Sequence, residues 1–127
     1  MNDSAYAAAF VSCLRNADIP FEVIRKSDDL MVLKLGSDML EIGDSSCHFT
    51  RLLKPVSRSD YNSALETVNR LNQKYTYCQF NIMKVQTYYM CASYYFSLYG
   101  KADNVAVHIL KMYRIFIKIT WNIGGLK

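Results

Sequence analysis

The chain has 127 residues, 51% of them hydrophobic and 20% charged, with a formal net charge of +4. That length supports one domain, residues 1–127, with a core of its own, and the balance excludes wholesale disorder. A membrane span is excluded as well, because the most apolar segment, Val105 to Trp121, is interrupted by His108, Lys111, Arg114 and Lys118.

Charge and aromatic content are unevenly spread. Residues 1–60 hold seven Lys/Arg against nine Asp/Glu, and residues 61–127 hold eight against two. Nine of the ten tyrosines lie between Tyr61 and Tyr113. Without a dense basic cluster, the positive half argues for solubility over nucleic-acid binding. The four cysteines, Cys13, Cys47, Cys78 and Cys91, form no CxxC pair and sit in apolar patterns. They are expected to be buried thiols of a reducing compartment. No metal site is expected: Cys47 and His48 are strand neighbours and point to opposite faces. Ala5 to Leu14 is apolar, but Asp3 precedes it and no basic residue does, so no signal sequence is read and a cytoplasmic location is expected.

In chain order, Ser4 to Asn16 predicts a helix capped by Asp3 or Ser4, with Tyr6, Phe10, Cys13 and Leu14 on one face and Pro20 preventing continuation. Three strands follow. Phe21–Lys26 is the first. Leu30–Leu35 is the second, with Gly36-Ser37-Asp38 a bulge or turn, and Met39–Ile42 either continuing that strand or forming a short one. Ser46–Lys54 is the third, ended by Pro55. His48 is expected on a partly exposed strand face, with no nucleophile or carboxylate identified beside it.

A central helix begins after Ser57 or Ser59. Its apolar stripe is Tyr61, Leu65, Val68, Asn72 and Tyr75, widened by Ala64 and Leu71. Asn72 is expected to bond exposed carbonyls at the helix end. Two longer strands come next, Tyr77–Val85 and Thr87–Leu98, as an antiparallel hairpin without the usual turn glycine. Both of its faces are apolar or aromatic: Tyr88, Met90, Ala92, Tyr94 and Phe96 oppose Tyr89, Cys91, Ser93 and Tyr95. One face should meet the helices and the other a partner. The last helix, with Asp103 as N-cap, shows a narrow polar stripe (His108, Lys111, Arg114, Lys118) inside a wide apolar arc, for which subunit contact is the simplest explanation. Residues from Asn122 onward are expected to fray.

The expected fold is α+β: helix, three antiparallel strands, helix, two-strand hairpin, helix. The run Leu65-Glu66-Thr67-Val68-Asn69-Arg70-Leu71-Asn72, followed by Tyr75 and Cys78-Gln79-Phe80-Asn81-Ile82, resembles the YbjN-like group of small bacterial proteins, with the type III secretion chaperone-like fold. The resemblance implies a non-catalytic, often dimeric protein of chaperone-like, sensory or regulatory role. It implies no activity of known chemistry.

No phosphate-cradling glycine loop, GxSxG elbow or HExxH occurs, and Asp28, Asp29, Asp38, Glu41 and Asp44 read as strand-end and turn residues. The expectation is therefore a protein-binding module with no catalytic, metal or cofactor residues. A homodimer is expected, holding a polypeptide client through a surface that includes Tyr89, Cys91, Tyr95, Tyr113 and Phe116. The alternative is a nucleic-acid-binding or sensory regulatory protein.

Overall fold

The structure is a computed structural model and describes residues 5–124. The elements are α1 (Ala5–Asn16), β1 (Glu22–Lys26), β2 (Leu30–Leu35), β3 (Asp38–Gly43), β4 (Ser46–Val56), a 3-10 turn (Arg58–Asp60), α2 (Tyr61–Lys74), β5 (Gln79–Lys84), β6 (Tyr88–Ser97) and α3 (Ala102–Gly124). The capping residues expected for α1, Asp3 and Ser4, lie outside the described residues.

The expected order of elements is corrected. Four strands precede the central helix, so helix–three strands–helix–hairpin–helix, and with it the secretion chaperone-like arrangement, does not describe this chain. Gly36 decides the count. At φ +62 it opens a two-residue loop between Leu35 and Asp38, the position where primed hairpin turns need a positive φ. The chain therefore reverses there, and Asp38–Gly43 becomes a strand of its own. The α+β class holds, with all six strands antiparallel in one sheet of order β1-β2-β3-β4-β6-β5.

Pro55 does not end β4. Register pairs it with Tyr89, beyond the last β3–β4 pair, Met39–Thr50. Its missing N–H therefore falls on a side that has no strand to bond. A bulge between Leu52 and Lys54 shifts the alternation, so that Val56 turns into the core.

All three helices cover one face of the sheet. α3 lies over β4 with α1 beside it, and α2 packs on β5. Met31, Leu33, Leu40, Ile42, Cys47 and Phe49 supply the core face of the first strands, and Met90, Ala92 and Phe80 extend it under α2. Phe49 is the hub, with Tyr94, Phe96, Tyr113 and Phe116 ring centroids 5.4–6.2 Å away. Burying aromatic area of this kind supplies about 1.5–3 kcal/mol per large side chain.

The wide apolar arc of α3 is used within the chain. Val105, Ala106, Ile109, Leu110, Tyr113, Phe116 and Ile123 are buried because α3 meets both the sheet and α1. His108, Lys111, Arg114 and Lys118 stay exposed as expected. The helix continues through Asn122 to Gly124, past the expected point of fraying, and the rest of that expectation lies outside the described residues.

In α2 the buried centre is Ala64, Val68 and Leu71. Leu65, 38% exposed, and Asn72 lie at the margin facing the outer edge of β5, so the stripe is rotated from the expected one.

Candidate functional site

Backbone direction in β6 can be assigned from two observations. The Leu98 N–H bonds the Ser45 carbonyl at 2.8 Å, so Leu98, and by alternation Phe96 and Tyr94, direct their backbone groups toward β4. At the other side, Phe80 has both backbone groups turned away from β6, because Asn72 takes them. Its amide nitrogen donates to the Phe80 carbonyl at 2.9 Å, and its amide oxygen accepts from the Phe80 N–H at 2.7 Å. Gln79 and Asn81 therefore face β6, and Ser93 and Cys91 face β5 in return. Both lines agree that Tyr95 and Ser97 point their N–H and C=O away from β4.

β5 does not reach them. Its first pair with β6 is Gln79–Ser93, whereas β4 pairs β6 as far as Ser97. Tyr94 to Ser97 is thus an open edge, and the backbone groups of Tyr95 and Ser97 have no partner among the described residues. Cavities flank this edge at both ends. One, of about 630 Å³, lies against His48, Tyr77, Gln79, Tyr94 and Tyr95. The other, of about 260 Å³, lies against Ser97, Tyr99, Asn104 and His108.

The helix-side margin of the open edge is a row of rings. Tyr77 stacks on Tyr94 at 4.4 Å and 14°, Tyr94 on Phe96 at 5.1 Å, and Phe96 meets His108 edge-on at 5.8 Å. The Tyr77 hydroxyl donates to the Met112 carbonyl at 3.3 Å, which ties the start of the hairpin to α3. Burial, then the neighbouring Tyr94, push the Tyr77 phenol well above its ordinary range.

The other face of the sheet has no covering layer among the described residues. Tyr89, Cys91 and Tyr95 share it with Val32, Met39, Glu41, His48 and Leu52. Tyr95 is 67% exposed, Tyr89 is half-buried, and Cys91 is closed off between its neighbours. The other two expected surface residues lie on the opposite side of the sheet. Tyr113 and Phe116 are 6% and 0% exposed, packed against Phe49 in the chain's own core. They were misplaced because the arc of α3 does not reveal that a second helix lies against it.

His48 has the carboxylate that the sequence did not show. Strand pairing places Glu41 directly opposite, and its Oε1 lies 3.3 Å from His48 Nδ1, with Tyr95 edge-on at 5.9 Å. Among the described residues the other ring nitrogen meets no side-chain partner. Asp38 is not a turn residue with a solvated side chain. It is buried on the helix side, where Oδ2 accepts the Tyr113 hydroxyl at 2.5 Å and lies 3.5 Å from Arg51 Nη1.

Among the described residues no three His, Cys, Asp or Glu side chains gather in a metal-binding group, and all four cysteines are free thiols. No helix of the described residues is long and apolar enough to cross a membrane. No family model matches the chain, and no curated protein matches it. The open edge of β6, with its ring-lined margin and two cavities, is the candidate site for a partner strand. Of its key residues, Tyr77, Tyr94 and Phe96 had no sequence signal beyond hairpin alternation, and His108 none beyond its place in the polar stripe of the last helix.

Proposed function

We propose that this chain is a non-catalytic protein-binding module that holds an extended polypeptide segment along the open edge of β6. The observation that carries the reading is the outward backbone groups of Tyr95 and Ser97, which have no partner among the described residues and lie between two cavities. Backbone groups at a sheet edge are complementary to another strand, and alternate side chains of that strand would enter the flanking cavities. Four residues of edge span roughly 13 Å at about 3.3 Å per residue. That is short for a stable dimer interface, which buries on the order of 1,200–2,000 Å², and suits a peptide.

The resemblance of Leu65–Asn72 and Cys78–Ile82 to the YbjN-like group supports a role without chemistry. The free thiols support a reducing, cytoplasmic setting. A homodimer belongs to the same reading, through the uncovered sheet face with Met39, Leu52 and Tyr95; light scattering on the eluting protein should then give twice the chain mass. The nucleic-acid alternative is disfavoured by geometry, because Tyr89 and Tyr95 lie on the sheet face and the basic stripe of α3 lies on the helix layer.

Peptides selected by display on the wild-type protein test the proposal. Ser97→Pro removes one outward N–H and leaves the β4 ladder intact, because the Ser97 N–H does not face β4. Selected peptides should lose at least tenfold in affinity for S97P while its unfolding midpoint stays near that of wild type. Equal affinity for the two proteins would sink the proposal.

A further inference from the structure

A third cavity lies away from the β6 edge. α2 leans on β5 while α3 leans on β4 and α1, and a cleft of about 330 Å³ remains between them over the end of β4. Local sequence creates it. The Leu52–Lys54 bulge turns Val56 inward and carries Lys54 onto the helix side, opposite Met90. On α2 the facing residues are Ser63, Ala64 and Thr67, all too small to fill the space. The floor is apolar: Val56, Ala64, Met90 and, from α3, Ile123 are all buried.

The rim is charged. Asp60, Lys54 and Arg70 line it. The Asp60 carboxylate already accepts the Ser57 hydroxyl at 2.9 Å. Lys54 and Arg70 are exposed and form no ion pair among the described residues. Along α2, Asp60 and Arg70 are separated by roughly 15 Å at about 1.5 Å per residue, so the cleft is elongated, with Arg70 away from Asp60 and Lys54 on the β4 wall.

We propose that this cleft binds a small amphipathic anion: a carboxylate received by Arg70 and Lys54, joined to an aliphatic body lying on Val56, Met90 and Ile123. An apolar floor with a few convergent polar groups, in a cavity at the low end of the ligand range of about 300–1,000 Å³, is the usual form of such a site. Arg takes a carboxylate through two parallel N–H donors, and Lys adds a point charge. A neutral ligand of the same shape leaves both cations unanswered, and a cationic one is repelled.

Decanoate, kept below the concentration at which it aggregates, is the probe, followed by amide shift mapping on the isotope-labelled chain. Decanol and decyltrimethylammonium serve as matched controls. Decanoate should shift amides at Val56, Ala64, Thr67 and Ile123, and decanol should bind at least tenfold more weakly. Ala64→Leu, which occupies the cleft, should abolish binding. The double variant Lys54→Gln/Arg70→Gln alters only exposed groups, so it keeps the test decisive where A64L fails to fold; it should weaken decanoate binding at least tenfold and leave decanol unchanged. Shifts confined to other surfaces, equal binding of decanol, or unchanged binding by the double variant would each overturn the proposal.

Discussion

Asn72 shows how one side chain can define an edge. Its amide offers an acceptor and a donor in the same arrangement as a neighbouring strand, and it closes β5 at Phe80. Sheet edges left open invite pairing with other chains, and a side chain that occupies the edge prevents it. Asn72→Ala leaves the Phe80 N–H and carbonyl unpaired at the margin of the core. The expected loss is about 1–2 kcal/mol, since water at this half-buried edge offsets part of the cost of about 1–3 kcal/mol for an unsatisfied buried group, read as a lower urea midpoint at unchanged slope. The same variant should aggregate more readily through the exposed β5 edge. The residue type was noticed in the sequence, but its partner was not. Phe80 lies eight positions downstream, and only the turn after α2 brings its backbone beneath the helix.

Asp38 makes a related point. The hydroxyl of Tyr113 and the guanidinium of Arg51 approach the same oxygen, Oδ2, while Oδ1 has no partner among the described residues. A carboxylate held in this way is costly to leave alone, so its partners matter more than their number suggests. Asp38 is 75 residues from Tyr113 in the chain, and no local pattern connects them.

Among the elements, the β5–β6 hairpin carries visible backbone strain. Gln86 sits at φ +110 between Val85 and Thr87, and the Val85 N–H bonds the Thr87 carbonyl at 2.9 Å. A side chain at that φ is disfavoured, and glycine relieves it. Gln86→Gly should stabilise the protein by about 1 kcal/mol after the entropy cost of glycine, seen as a higher thermal midpoint. The missing turn glycine noted in the sequence therefore has a structural counterpart. Hairpin alternation was also legible: Tyr88, Met90, Ala92, Tyr94 and Phe96 do form the helix-facing side, because a strand's period of two holds wherever it pairs. The strand count before α2 was not legible. Gly36-Ser37-Asp38 suits a bulge and a turn equally, and only the reversal of the chain distinguishes them.

Over the whole molecule, burial governs the response to alkali. Burial raises the Cys47 thiol far above its ordinary value and lifts Cys78 to about 11. Burial also raises Cys91, and it raises the Tyr113 phenol with help from Asp38. Each group keeps its proton in the folded chain at a pH where the unfolded chain releases it. The unfolded state then binds fewer protons, so stability falls with rising pH. Their contribution is complete below the ordinary thiol value of 9.0 and declines above it, then more steeply past the phenol value of 10.0. Thermal midpoints should hold steady from pH 7 to about pH 8.5 and fall through pH 11. Tyr113→Phe should lower stability at every pH but reduce the slope above 10. A midpoint that does not change between pH 8 and 11 contradicts this account. In the native state a thiol reagent at pH 8 should modify Cys13 first, because Cys47, Cys78 and Cys91 are buried and Cys13 is only partly so.

The sequence by itself determined the local elements: the helices, the alternation of the hairpin, the burial of three of the four cysteines (Cys13 is only partly buried) and the exposed basic stripe of α3. These follow from periodicity and composition, which act over a few neighbouring residues. The tertiary structure alone decided the strand order, which puts β6 between β4 and β5 and leaves Tyr94 to Ser97 open. It decided that α1 covers the arc of α3 and so draws Tyr113 and Phe116 inside. It also set the two unfilled spaces, one at each end of the β6 edge, and the cleft between α2 and α3. Those features depend on which distant surfaces meet, and an apolar stripe specifies that it will be buried without specifying what buries it.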